Sequence, residues 1–335
     1  MEITATAPNR IDLAGGTTDI YPLYLFMEGG CTVNIAITVS SRVTVTGLSG
    51  AQIRLISQDL GMQQEASSPA ELSLAGPLGL LARVVQALVP EGGVELHAQN
   101  QAPPGSGLGA SSALLVAAIR ALLAWRGKQL SPAEIVRLAA NIETATIGVP
   151  TGTQDYIAAM YGGVSLIKFD YGDFSRRAAP SSSNGTAGLP YAIILSYTGK
   201  SRFSGMNNWE ITKAFIDGDP EVRDKLVRIR DVACEVSRAL EEGKWEELPP
   251  LVAQEWSLRR MLTPGVSTPR VEAMMEAAIQ AGALANKICG AGGGGCMISL
   301  AESQNRESVE RSLQAAGGTI MPFTIAAEGV TIEQR

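Results

Sequence analysis

Pro103-Pro104-Gly105-Ser106-Gly107-Leu108-Gly109-Ala110-Ser111-Ser112 stands between a strand-like stretch at Val94 to Ala98 and a helix-like one at Ala113 to Trp125. Glycines let a backbone approach a ligand and turn successive N–H groups towards it, and the start of the following helix adds a field that favours anions. Residues Pro104, Gly105, Ser106, Gly107, Leu108, Gly109, Ala110, Ser111 and Ser112 are therefore expected to hold a triphosphate. A Walker A loop is excluded, because no Gly-Lys-Ser/Thr closes the stretch. Gly105, Gly107 and Ala110 satisfy a dinucleotide fingerprint. That reading also wants an acidic residue at the end of the next strand, about 20 residues on, where a helix with Arg126 and Lys128 stands instead. A tight turn without a ligand leaves so many glycines beside a serine pair unexplained.

Outward from this loop, Leu115, Ala118, Leu122 and Trp125 recur at helical spacing, with Gly127 placed to stop the helix. Ser131, Pro132 and Glu134 predict the start of the next one, whose stripe is Ile135, Leu138 and Ile142. Upstream, β-branched residues predict strands at Ile3 to Ala7 and Thr32 to Thr46, and Gln58 to Gly79 reads as a loop-rich connection. His97, the one histidine, sits in an alternating strand and reads as a structural position. The composition turns to Ser, Ala, Pro, Asn and Gly between Arg176 and Pro190, which predicts a linker dividing domains at 1–185 and 186–335. Beyond it come a strand at Tyr191 to Tyr197, a helix from Asp219-Pro220 and another after Thr268-Pro269. Strands then flank a second glycine loop, at Ala285 to Cys289 and Cys296 to Leu300. Helix-like text from Ser303 and a last strand at Thr319 to Ile325 complete an α+β pattern.

The 335 residues, 45% hydrophobic and 18% charged, suit two modest cores. A net charge of −6 gives no field for polyanions, so nucleic acid and anionic membrane are not expected partners. No leader or membrane span is read, and the expected location is the cytoplasm. The four cysteines form no CxxC pair, so reduced thiols are expected.

Two further stretches decide what the first loop serves. Ala7-Pro8-Asn9-Arg10-Ile11-Asp12-Leu13-Ala14-Gly15-Gly16-Thr17-Thr18-Asp19 resembles motif one of the GHMP kinases, the group named for galactokinase, homoserine kinase, mevalonate kinase and phosphomevalonate kinase. The Pro104 loop resembles motif two, and Lys287-Ile288-Cys289-Gly290-Ala291-Gly292-Gly293-Gly294-Gly295-Cys296 resembles motif three. The three occur in order over nearly the full chain. The resemblance implies an N-terminal domain of the ribosomal-protein-S5 domain 2-like type, a ferredoxin-like C-terminal domain, and transfer of the γ-phosphate of ATP to a hydroxyl with Mg²⁺ as cofactor. A homodimer is left open.

Phosphoryl transfer asks a protein to position two reactants, neutralise phosphate charge and orient the attacking hydroxyl. By the resemblance Ser111 supplies a hydroxyl to magnesium, with Ser112 as its rival and helix capping as the plain role of either. Glu143 supplies the carboxylate, its plain role being a solvent-facing glutamate. Asp155 accepts the proton of the substrate hydroxyl, its plain role being a helix cap. Arg10 steadies developing charge beside it, and Asp19 contacts substrate hydroxyls; without the family these two read equally as a surface ion pair. Gly16, Thr17, Gly292 and Gly293 are expected at the substrate, the last two through their backbone.

The overall likeness is to the bacterial heptose-phosphate kinase branch, so a sugar or sugar-phosphate substrate is expected. Lys200 and Arg202 read as a phosphate grip or a solvated pair. The alternatives are a mevalonate-type kinase or decarboxylase, against which Asp19 argues, and a silent nucleotide-binding relative, against which Glu143 and Asp155 argue. Asp12 departs from the usual neutral polar residue, adding a hydroxyl acceptor or opposing a substrate phosphate, and Ala14 and Ala110 depart from the usual motifs.

Overall fold

A computed structural model describes residues 1–89, 91–179, 190–199 and 204–335, the side chains of 204–206 excepted. In chain order the first part runs β1 (Glu2–Ala14), α1 (Leu23–Phe26), β2 (Gly30–Gly47), β3 (Ile53–Ser57), β4 (Met62–Ala66), α2 (Gly79–Leu88), β5 (Val94–Asn100), α3 (Ala110–Trp125), α4 (Pro132–Ile147), α5 (Gln154–Tyr161), β6 (Val164–Phe169) and β7 (Phe174–Ala178). The second part runs β8 (Tyr191–Tyr197), α6 (Ser204–Ile216), α7 (Pro220–Glu242), α8 (Leu248–Arg259), α9 (Pro269–Gln280), β9 (Ala283–Ile288), β10 (Cys296–Glu302), α10 (Arg306–Ala315), β11 (Thr319–Ile320) and β12 (Thr331–Gln334).

The long β2 changes partner along its length. Its Ser41–Gly47 half pairs with β5, and its Gly30–Ile35 half pairs with β6. The resulting sheet has the order β12-β1-β2-β5-β3-β4, with β6 and β7 branching from β2. Helices α2 to α5 cover it, and α3 is buried nearly all round because small and branched apolar residues such as Ala117, Ala118, Ile119 and Leu122 occupy every face. The second sheet is antiparallel in the order β11-β8-β10-β9. Numbered within its own domain that order is 4-1-3-2, the ferredoxin-like arrangement that the resemblance implies. Its core is continuous with the site-facing halves of β1 and β2: Ile11, Leu13, Val33 and Ile35 pack in one cluster with Ile229, Ala233 and Val252.

The capping signals form as read. Ser131 and Glu134 make both bonds of a capping box, Asp219 caps α7 through Glu221 and Val222, and Thr268 accepts from the Val271 N–H. Four readings need correction. The Gln58 to Gly79 region contains β4, an edge strand whose Met-Gln-Gln-Glu-Ala text lacks alternation because it is mostly exposed and held by β3 alone. Helix α2 went unread. The last strand pairs only at Thr319–Ile320; Pro322 has no N–H to continue a ladder, and the segment turns to the first sheet, where Ala326 N–H donates to the Ala36 carbonyl. There β12 pairs with β1, so the 186–335 range lends a strand to the N-terminal sheet. The expected linker begins inside β7, and its residues 180–189 lie outside the described residues. No helix among the described residues is long and apolar enough to cross a membrane.

Candidate active site

Gly105, Gly107 and Gly109 all hold positive φ, at 66°, 74° and 70°, a region L side chains avoid. Two of these glycines are also required by proximity. A Cβ on Gly107 would stand 2.4 Å from the Cys289 carbonyl oxygen, and one on Gly109 would press on the Asp155 carboxylate at 3.0 Å. The third-motif loop thus abuts the second, where Cys296 N–H donates to the Ser106 carbonyl at 2.7 Å. Together they border a cleft of about 560 Å³ that runs from Gly16, Thr17 and Asp19 past Asp155 to Ser111 and beyond to Leu60 and Leu78.

Asp155 lies on the first turn of α5, at the middle of this cleft. The Arg10 guanidinium grips its Oδ1 with Nε at 2.7 Å and Nη2 at 2.6 Å, while Nη1 donates to the Gly107 carbonyl at 2.5 Å. One side chain of motif one therefore joins the catalytic candidate to the phosphate-loop candidate. Burial pushes the Asp155 carboxyl up, with Arg10 opposing that shift. Asp155 does not cap its helix: Thr153 holds the N-cap position, with no side-chain capping bond.

Glu143, 6% exposed, is not solvent-facing. One oxygen accepts from Ser111 Oγ; the other accepts from Ser112 Oγ at 2.9 Å and Tyr156 OH at 2.5 Å. Burial raises its pKa against these donors. The two serines now separate, since Ser111 is exposed to the cleft and Ser112 is buried. Neither is a helix cap, because Gly109 holds that position. A hydroxyl and a carboxylate side by side are hard oxygen donors of the kind Mg²⁺ takes while keeping waters, so Ser111 and Glu143 fit that ion.

At the other end Asp19 is 1% exposed and accepts the Gln154 N–H at 2.9 Å. Burial, partly offset by that bond, lifts its pKa to about 6. Its pairing with Arg10 is overturned, for Arg10 belongs to Asp155. Asn208 of α6, which the sequence reading passed over, closes this end and accepts from Thr17 Oγ1 at 3.4 Å. Two further site expectations change. Leu108 turns its side chain into the core and offers only its carbonyl, to Arg10 N–H. Gly292 and Gly293 pack on Val266 instead of lining the cleft, because a tight turn there bonds Gly293 N–H to the Val266 carbonyl; Gly290 and Ala291 line it in their place. Lys200 and Arg202 lie outside the described residues.

Behind the motif-one turn sits a buried ionic cluster that was not anticipated. Lys287 hydrogen-bonds Asp12 at 2.8 Å and forms an ion pair with Glu255 at 3.1 Å, and Arg259 bonds Glu255 at 3.0 Å, all four at 2% exposure or less. Burial opposes the Asp12 charge, but Lys287, Arg259 and Arg10 outweigh it and hold the carboxyl below its usual range. Asp12 is thus engaged by Lys287 within the fold.

Known proteins resemble this chain in sequence and in fold. The family described as GHMP kinases N terminal domain matches residues 78–163, and that described as GHMP kinases C terminal matches 236–319. The chain is 28% identical to a D-glycero-alpha-D-manno-heptose 7-phosphate kinase of Campylobacter jejuni over 98% of each. It is 33% identical to a mevalonate kinase of Pyrococcus abyssi over 72% of this chain and 69% of that one. A crystal structure of a D-glycero-D-manno-heptose 1-phosphate kinase from Bacteroides thetaiotaomicron superposes with a TM-score of 0.80 at 24% identity, covering 99% of both. With three motifs converging on one cleft and these likenesses spanning both halves, the chain belongs to the GHMP kinase family.

Proposed function

We propose that this kinase transfers the γ-phosphate of ATP to a hydroxyl of a sugar phosphate, the heptose 7-phosphate type being favoured. The observation that carries the reading is Asp155, held by Arg10 between the glycine loop and the Asp19 end of the cleft. The triphosphate lies along Gly105–Ser112, and the base reaches towards Leu60 and Leu78. The acceptor occupies the end bounded by Gly16, Thr17, Asp19 and Asn208. Its hydroxyl oxygen attacks the γ-phosphorus, the bond to the β-phosphate oxygen breaks, and the hydroxyl proton passes to Asp155. Arg10 steadies the charge that builds on the reacting oxygens and holds Asp155 in line. Ser111 and Glu143 hold Mg²⁺, which when bound neutralises phosphate charge.

Among the described residues lining the cleft, Arg10 is the one cation, and it is already bonded to Asp155 and Gly107. A phosphate carried by the acceptor needs other positive groups, and Lys200 and Arg202 are the candidates. The test is ADP release from Mg-ATP across heptose 7-phosphate, free heptose, galactose and mevalonate. Turnover of the sugar phosphate, with KM raised at least tenfold by Lys200→Ala with Arg202→Ala, is expected. The Pyrococcus abyssi likeness supports mevalonate as the second reading, and turnover of mevalonate alone would establish it in place of the first.

A further inference from the structure

Three consecutive residues of the motif-one turn are bonded to one helix of the other domain. Gly15 N–H donates to Glu255 Oε1 at 3.3 Å, the Gly16 carbonyl accepts from Arg259 Nη2, and Thr17 Oγ1 accepts from Arg259 Nη1 at 3.3 Å. Thr17 holds φ at 75°, a conformation that strains a β-branched residue and persists only where its surroundings enforce it. Asn208 Oδ1 accepts the proton that the Thr17 hydroxyl donates. The Arg259 guanidinium is itself fixed: it is 1% exposed and paired to Glu255, which also holds Lys287. Among the described residues, no bond from Glu255, Arg259 or Asn208 reaches the phosphate loop, whose partners include Arg10, Ser41, Glu143 and the third-motif loop.

We propose that Arg259 is a positioning residue for the acceptor, reaching across from α8 to hold Gly16 and Thr17 in the strained turn that shapes the acceptor end of the cleft. It acts through those two residues, both of which line the cleft, and leaves the nucleotide end alone. The inference rests on the reading that this end takes the acceptor. It predicts a separation that general damage to the fold would not produce: the acceptor side loosens while nucleotide affinity stays.

Three variants test it: Arg259→Met, Arg259→Lys, which keeps a charge for Glu255 but loses the planar fork, and Asn208→Ala, which releases Thr17 from the half-buried side. Should Arg259→Met fail to fold, the other two decide. Hydrogen exchange is followed at the Thr18 and Ile20 amides, which donate to the Gly15 and Thr17 carbonyls. Exchange there at least tenfold faster, unchanged exchange in α3, and a Kd for Mg-AMPPNP within twofold of wild type are expected. With heptose 7-phosphate as acceptor, KM rises about tenfold and kcat changes less than about threefold. Unchanged exchange in Arg259→Lys and Asn208→Ala, or nucleotide affinity falling in step, would overturn the proposal. A wild-type protein inert towards heptose 7-phosphate removes that substrate instead, and the exchange and nucleotide readouts still decide the role of Arg259.

Discussion

Asp19→Asn is expected to make the protein more stable and less active, and the two effects part company with pH. In the folded chain burial lifts the Asp19 carboxyl from its usual 3.8 to about 6. Between those values the folded state binds a proton that the unfolded chain has released, so stability is highest below about pH 4 and falls as pH rises through 6. At about 1.4 kcal/mol per pH unit, the shift makes the ionised Asp19 a burden of about 3 kcal/mol at neutral pH. Asparagine keeps an oxygen for the Gln154 N–H and carries no charge. Thermal unfolding of the ligand-free protein from pH 4 to 8 should show the two proteins level near pH 4, with Asp19→Asn higher by several degrees at pH 7.5. Acceptor KM tells the other half. In the wild type it falls as pH rises through about 6, because the ionised carboxylate is the better hydroxyl acceptor, and Asp19→Asn lacks that limb. A sugar phosphate titrates near the same pH, but its contribution appears in both proteins and cancels in their ratio. A stability gap that does not widen between pH 5 and 7 would refute the reasoning.

Asp155→Asn should lower kcat by about 10²–10⁴, and by leaving the Arg10 guanidinium buried without its partner should destabilise the fold by about 3–5 kcal/mol, measured by denaturant unfolding. Glu143→Gln should raise the Mg²⁺ concentration needed for half-maximal rate at least tenfold with little change in acceptor KM, read from initial rates at varied Mg²⁺. Gly295→Ala would place a Cβ 2.6 Å from the Ser106 carbonyl at a φ of 81°, and should cost more than about 2 kcal/mol in stability and most of the activity by forcing the two glycine loops apart.

The glycine loops were legible because their chemistry is local: positive φ and close backbone approach select glycine whatever surrounds them, and Gly105, Gly107 and Gly109 show both. Ser131, Asp219 and Thr268 were legible for the same reason, since a cap is decided within four residues. What failed depends on neighbours distant in sequence. Glu255 and Arg259, four apart, carry nothing in the sequence that tells them from a solvated helix pair, and only the packing of α8 behind the motif-one turn buries them. Lys287 stood in a quoted motif with no role, because nothing near it in sequence reveals Asp12 as its partner. Gly292 and Gly293 could not be told from Gly290 by composition; which of these glycines meets the cleft is set by where Val266 lies.

The pairing of β12 with β1 joins segments from opposite ends of the chain. A ribosome delivers β1 first and β12 only after the whole second domain has been made, so the N-terminal sheet waits through most of synthesis with one edge unpaired. Such an edge is a template for any other extended chain nearby. A chaperone that shields strand edges would therefore be most useful to this protein late in translation, after its catalytic loops already exist and before its outermost strand does.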